Sequence, residues 1–312
     1  MTGANYTLAP SAPSAPQEFR IAPELAGLRL DQALARLMPE YSRSRIKAWI
    51  DAGGVTIADA PAAAKHRLLG GERVLVAPLP SPRENGISAQ PLPLSIVYED
   101  ETLLVIDKPP GLVVHPGSGN RDGTLANALL HRAPELSALP RAGIVHRLDK
   151  DTSGLLAVAR TEAAREDLVR QLQARTVRRE YLALVHGVVT RAGSVDAPIG
   201  RHPVKRTAMA VVARGKHAVT HYEPRERFAA CTLLVCRLET GRTHQIRVHM
   251  AALKHPLVGD PTYGRRHGVA FHRQALHAWR LGLIHPLTRR PMRWESPLPP
   301  DFAALLDSLR GR

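Results

Sequence analysis

Cysteine is almost missing from this chain: Cys231 and Cys236 are the only two in 312 residues. No disulfide framework can hold the fold together, which agrees with a reducing, cytoplasmic setting. Both thiols sit in the apolar run Cys231-Thr232-Leu233-Leu234-Val235-Cys236. At that spacing on a strand they face opposite sides, so they are poorly placed to pair and read as buried, inert thiols. Aromatic residues make up only 4%, which leaves the core to Leu, Val, Ile and Ala. No apolar run is long enough for a membrane span, and no membrane partner is expected. Met1 to Pro16 have neither a basic start nor an apolar stretch and do not read as a signal peptide. With Pro10, Pro13 and Pro16 set among Ser and Ala, residues 1–18 are expected to form a disordered leader. Internal repeats and glycine-rich phosphate loops are missing too.

Acidic residues are also in short supply. Asp and Glu number 28 against 43 Lys and Arg, which gives a formal charge of +15 and a pI near 10.6. Such an excess points to a polyanionic partner, nucleic acid above all; the alternative is a basic surface that binds nothing. The 44% hydrophobic content is enough for a core, and the length suits one large domain plus a small one.

The small domain is expected over residues 19–79. Leu30, Leu34 and Leu37 recur at helical spacing. A second helix starts at Ser42 as N-cap, buries Ile46, Trp49 and Ile50, and ends at Gly53 and Gly54. Short strands follow at 55–57 and 73–77. Arg43, Arg45 and Lys47 point away from the apolar stripe, where they form either a solvated face or a phosphate-contacting one. In order and spacing, Arg29-Leu30-Asp31, the segment 42–47 and Gly54-Val55-Thr56-Ile57 resemble the S4 RNA-binding domain. Residues 80–93, rich in Pro and polar side chains, read as a linker. The large domain, 94–312, shows strands at 96–98, 103–106, 154–159, 180–186, 207–212, 219–222 and 232–239, with helices at 124–131 and 161–172. An α+β fold is expected, with a mixed, mostly antiparallel sheet flanked by helices.

Three stretches carry chemistry. In Gly143-Ile144-Val145-His146-Arg147-Leu148-Asp149-Lys150-Asp151-Thr152-Ser153-Gly154-Leu155, charges crowd between two apolar runs. That is the setting of catalytic loops held by rigid strands, and equally of a charged turn with local salt bridges. Ser153 lacks the Gly-x-Ser-x-Gly elbow of a hydrolase. Asp149 and Asp151 are flanked by Arg147 and Lys150, and a metal site gathers more oxygen ligands than these supply. His244, His249 and His255 do not follow a zinc spacing. No metal is expected. In the second stretch, 238–250, Gly241 turns a strand into a short helix that carries Arg242, His244 and Arg247, either to hold phosphate or carboxylate or as a solvated basic face. The third, Arg178-Arg179-Glu180-Tyr181-Leu182, sets Tyr181 among apolar neighbours, where a core tyrosine is the simpler reading.

Taken in this order, the three stretches resemble the RluA family of pseudouridine synthases. Further segments extend the likeness from about residue 19 to the end, among them 112–117, 140–145, 201–207, 255–261 and 273–278, and they resemble a branch that modifies large-subunit ribosomal RNA. The resemblance implies Asp149 as the catalytic aspartate, as nucleophile or as base through a glycal. It implies Tyr181 as the active-site tyrosine, Arg247 as the arginine paired with Asp149, and Arg147 as the residue that fills the gap left by a flipped base. Arg43, Arg45, Lys47, Arg242 and His244 become RNA contacts, and the helix 69 loop the target. Isomerisation moves no electrons to an acceptor and adds no group, so no cofactor is expected. A monomer is expected. The stretch from Tyr263-Gly264 to Arg273 is shorter than in the family members it resembles, and Arg265, Arg266 and His267 make it basic; this bears on RNA contacts rather than on the chemistry. Two other readings stay open: a sibling synthase acting on different large-subunit uridines, and a non-catalytic RNA-binding or ribosome-assembly protein.

Overall fold

In a computed structural model of the chain, residues 16–41, 43–79, 87–117, 120–205, 207–264 and 268–311 are described. Ser42, most of the expected leader, the first half of the linker and the basic residues 265–267 lie outside them. Strands β1 (Gln17–Arg20), β2 (Val55–Ile57), β3 (Ala60–Pro61) and β4 (Arg73–Val76) form an antiparallel sheet in the order β1-β4-β2-β3. Helices α1 (Leu30–Leu37) and α2 (Arg43–Asp51) close over it. The apolar positions predicted for the two helices meet the strand residues Val55, Val74 and Val76 in one cluster. Gly53 follows α2 at φ +81°, a left-handed turn that glycine makes without strain.

The large domain opens with β5 (Ser95–Glu99) and β6 (Leu103–Lys108), joined at the acidic turn. Then come α3 (Leu125–Arg132), β7 (Ser153–Ala159) and α4 (Glu162–Gln173). Both expected helices start after a threonine whose hydroxyl accepts the N–H three residues on, Thr124 for α3 and Thr161 for α4. The chain continues through β8 (Arg178–His186), β9 (Gly193–Asp196), β10 (Ile199–Arg201), β11 (Met209–Val211), β12 (Val219–Arg227), β13 (Cys231–Leu238) and α5 (Gln245–Ala252). It ends with β14 (Leu276–Ile284), β15 (Pro291–Glu295) and α6 (Pro300–Arg310). Among the described residues the large sheet runs β5-β6-β7-β14-β8-β13-β12-β9, with β15 beside β14. Only β7 and β14 pair in parallel, so the sheet is mixed and mostly antiparallel.

Alternation along the strands divides the core between the two faces of the sheet. One face carries Ile106, Leu156, Tyr181, Ala183 and Cys236 against α3 and against Ile246 and Met250 of α5. On the other, Val105, Leu155 and Ala157 meet Leu168 of α4, and Leu184, Cys231 and Leu233 meet Phe302 and Leu306 of α6. The two cysteines are free, buried and on opposite faces, as the spacing requires. Burial pushes the Cys236 thiol up to about 12.

Several elements differ from the sequence reading. The strand expected at 207–212 is shorter and pairs with β10, which was not foreseen. The strand expected at 219–222 runs on to Arg227, with a register shift next to Pro224, which has no N–H to give the ladder. No strand was read at β14 and no helix at α6. β14 lies at the middle of the sheet and is buried on both faces, so its sequence has no alternation to read. Residues 87–93, expected as linker, are tied to α3: the Asn127 side chain donates to Ser88 O at 2.7 Å, and Gln90 N donates to Asn127 O at 3.0 Å.

Gly154 sets the spacing between β7 and β14. Its φ is +109°, and a Cβ there would lie 2.2 Å from the carbonyl oxygen of Ala278. Both the conformation and the space require glycine. Gly154→Ala is expected to cost about 3 kcal/mol or more, which lowers the melting temperature by about 6–12 °C in a domain of this size. Thermal unfolding checks this; an unchanged midpoint would contradict the close approach.

Candidate active site

The chain turns sharply ahead of β7. Arg141, Ala142 and Gly143 all have left-handed backbone, with φ of 56°, 51° and 75°, and residues 144–152 then lead into the strand. A half-buried ring and a buried ammonium fix this segment. His146 accepts the Ala157 N–H at Nε2, at 2.9 Å. Burial and the Arg179 charge push His146 down to about 3, so the ring is neutral and carries its proton on Nδ1. Lys108 is fully buried and donates its three ammonium protons to the carbonyls of Pro109, Leu112 and Lys150 at 2.8, 2.9 and 2.8 Å. Burial pulls Lys108 down to about 7, while Asp151 and Asp149 draw it back up.

Asp149 stands between these anchors. Its Oδ2 accepts from Arg247 Nη1 at 3.0 Å. The rest of that guanidinium is engaged elsewhere: Nε and Nη2 donate to the two oxygens of Asp260 at 2.7 and 2.9 Å, and Nη2 reaches Thr262 Oγ1 at 3.2 Å. Asp260 also accepts the backbone N–H groups of Thr262 and Tyr263 at 2.8 and 3.0 Å. One guanidinium therefore bridges two carboxylates, of which Asp260 is wholly buried and Asp149 is 15% exposed. Burial would raise Asp260, but the Arg247 hydrogen bonds and charge hold it below the usual carboxylate range. Burial likewise pulls Arg247 down, and Asp260 followed by Asp149 more than reverse that.

His244 enters α5 from a left-handed conformation, φ 57°. Its Nδ1 lies 2.9 Å from the Tyr263 hydroxyl, and its Nε2 lies 3.9 Å from Asp149 Oδ1. Burial lowers His244, and Asp149 opposes this. The Tyr263 ring lies beside the Arg247 guanidinium, 5.1 Å from centroid to carbon. Gln245 locks the turn before α5: its Oε1 accepts from Thr240 Oγ1 at 2.8 Å and from Arg242 N at 2.9 Å, and its Nε2 donates to Val219 O at 2.9 Å.

Asp149, His146, His244, Gln245 and Arg247 line a cavity of about 980 Å³ together with Arg147, Arg179 and Tyr181. Tyr181 is both a core residue and a cavity residue: it is 6% exposed, and burial raises its phenol, with Arg179 opposing and Asp149 adding to the shift. Arg147 is exposed and makes no ion pair among the described residues. Of the residues singled out in the sequence, Asp149, Tyr181, Arg247, Arg147, Arg242 and His244 all meet here.

Arg43, Arg45 and Lys47 do not; they lie on α2. Arg43 pairs with Asp31 at 2.8 Å and Lys47 pairs with Asp51. Arg45 does not point away from the apolar stripe. Its side chain is 13% exposed, lies 5.7 Å from the centroid of the Trp49 ring, and comes within 3.8 Å of Glu162 on α4. An aromatic face and a half-buried carboxylate draw the planar guanidinium inward. Asp151 lies outside the cavity lining, and its carbonyl accepts from Arg273 Nη1 at 3.0 Å. Among the described residues no group of three or more His, Cys, Asp or Glu is arranged to hold a metal.

The sequence reading gave no role to Asp260, Lys108, His146 or Arg179. Asp260 stands between Gly259 and Pro261 beside an apolar run, and Lys108 closes an apolar strand ahead of Pro109-Pro110. A charge at the end of a buried run is the signal that was available.

Residues 102–252 match the family model described as RNA pseudouridylate synthase, and residues 28–74 match the S4 domain. The chain is 54% identical to "Ribosomal large subunit pseudouridine synthase D" of Nitrosomonas europaea, over 99% of this chain and 94% of that one. It is 52% identical to the protein of the same name in Xanthomonas campestris pv. campestris, over 91% and 90%. Among solved structures, Human RNA Pseudouridylate Synthase Domain Containing 1 matches 72% of this chain and 97% of its own, with a TM-score of 0.54 at 29% identity. Domain Containing 4 matches 69% and 93%, with a TM-score of 0.55 at 27% identity. Identity of this order over almost the full length, on a sheet that superposes on those of solved synthases, means that the chain belongs to the RNA pseudouridine synthase family.

Proposed function

We propose that the enzyme isomerises uridine to pseudouridine in large-subunit ribosomal RNA, in the helix 69 loop, with Asp149 carrying the chemistry. The observation that supports this most is the fork of Arg247. It aims one oxygen of Asp149 and leaves Oδ1 without a hydrogen bond among the described residues, with the His244 Nε2 ring nitrogen 3.9 Å away. The names of the relatives support the substrate class.

The reaction breaks the bond from ribose C1′ to uracil N1. The freed base turns, C5 bonds to C1′, the C5 proton leaves and N1 takes one up. Asp149 Oδ1 either attacks C1′ or removes a proton to give a glycal, and both routes use the same ionised carboxylate. Tyr181, un-ionised at neutral pH, offers its ring as a platform for the flipped uracil. Arg147, exposed at the cavity, fills the space the base vacates. Flipping costs a few kcal/mol, which phosphate contacts along a chain of formal charge +15 offset. In this reading Arg242, His244, Arg43 and Lys47 contact RNA, the last two from the S4 module. Arg45 supports that module from within.

Asp149→Asn is expected to lower tritium release from 5-tritiated uridine in ribosomal RNA by at least about 10³-fold, with RNA affinity and melting temperature close to wild type. Wild-type release from this variant would remove Asp149 from the chemistry. Arg247→Lys keeps the charge and loses the fork. Its kcat should fall by about 10²-fold, and stability by about 3 kcal/mol, because Asp260 stays buried without a two-point partner. Kinetics and thermal unfolding together check both parts. Pseudouridine mapping in a strain lacking the protein is expected to show unmodified uridines in helix 69. If helix 69 is unchanged and sites are lost elsewhere, the enzyme is a sibling with another target.

A further inference from the structure

Arg179 is a buried cation with no anionic partner among the described residues. It lies on β8 two residues before Tyr181, so both side chains point to the same face of the sheet, and both line the catalytic cavity. Arg179 is 7% exposed. Its one hydrogen bond among the described residues is from Nη2 to the backbone oxygen of Glu239, at 3.2 Å. Its buried Nε has no acceptor among them, and it forms no ion pair there. The other cations of the cavity are differently placed. Arg247 holds two carboxylates, and Arg175 pairs with Glu239 at 2.9 Å. Arg147 stands in water, where its charge needs no partner.

A guanidinium does not escape burial by losing its proton. Among the described residues the charge at this point is therefore uncompensated, and the turn beside it is shaped to admit it. A Cβ at Gly241 would lie 2.7 Å from Arg179 Nη1, so the 238–244 turn keeps a side-chain-free slot for the guanidinium. The neighbouring His146 is neutral, its Nε2 engaged with Ala157 and its Nδ1 proton free to donate. Among the described residues, the Glu239 backbone oxygen is the one acceptor that the guanidinium meets. We infer that Arg179 is an anion-holding residue of the catalytic cavity, whose missing counter-ion is an oxyanion of the target nucleotide.

The inference rests on the substrate reading above and deepens it. Two oxyanions share this chemistry. When N1 leaves C1′ it keeps the bonding electron pair, and the detached uracil spreads that charge over N1, O2 and O4 until C5 gives the pair to C1′. The alternative source is the phosphate beside the flipped nucleotide. The depth of Arg179 and its place beside Tyr181, on which the base would stack, favour the uracil anion.

Single-turnover pseudouridylation and RNA binding, measured on the full chain carrying Arg179→Gln, Arg179→Lys or Gly241→Ala, test this. For the uracil anion, Arg179→Gln lowers the rate at saturating RNA by about 10²-fold with the Kd unchanged, and Arg179→Lys recovers part of it. For the phosphate, the rate at saturation holds, the Kd rises, and the slope of log affinity against log salt falls by about one. Gly241→Ala keeps the charge and displaces only the far end of a flexible side chain, so it should fold as wild type and show the same defect in milder form. The inference is overturned if Arg179→Gln leaves both rate and Kd at wild-type values, or if all its loss follows its melting temperature and vanishes well below it. Wild-type activity in the same assay checks the substrate reading separately.

Discussion

The guanidinium of Arg247 is the point on which the site depends. It joins the loop ahead of β7, 98 residues earlier, to the helix α5 and to the turn at Asp260, 13 residues on. Without it, two carboxylates would face one another in a partly dry setting, and one of them would take up a proton. With it, Asp260 is held in the charged form although it is buried. Within this triad Asp260 depends most on the arginine, because losing Arg247 leaves it buried without its cation. Lysine could not take its place: a compact ammonium has no planar fork with which to grip Asp260 and still reach Asp149.

The same triad needs a rigid frame, and buried polar anchors supply it. Lys108 gathers the carbonyls of Pro109, Leu112 and Lys150, the last of which also accepts the Gly111 N–H, and so ties the two turns together. His146 ties in a strand N–H, and it does so as a neutral ring because burial denies it a second proton. Neither residue needs to touch the substrate. Their effect is that Asp149 sits on a segment fixed to β6 and β7 rather than on a free loop, and a carboxylate so fixed loses little entropy on reaching its reactive geometry.

Much of this was legible in the sequence. The helical spacing of Leu30, Leu34, Ile46, Trp49 and Ile50 announces the small core, and the crowded charges around Asp149 announce the site. What escaped did so for physical reasons. β14 is buried on both faces and has no alternation. Asp260 looks like a loop acid, since nothing local reveals that its partner is a helix away. Arg45 has the sequence context of a solvated helix face, and its inward turn depends on Glu162 in another element. Local pattern reports burial; it does not report which distant charge will arrive.

That distinction bears on how Arg247 divides its hydrogen bonds. Two of its three donor nitrogens serve Asp260 and only Nη1 serves Asp149. A carboxylate gripped at both oxygens would be well held but a poor nucleophile, because every lone pair facing the donor is stabilised against attack. Assigning the two-point grip to the fully buried Asp260 separates two demands that conflict within one residue. Asp260 fixes the guanidinium, and Asp149 meets it through Oδ2 alone while keeping Oδ1 free of hydrogen bonds among the described residues. The second carboxylate thus acts on the orientation of the first, although the whole guanidinium lies between them.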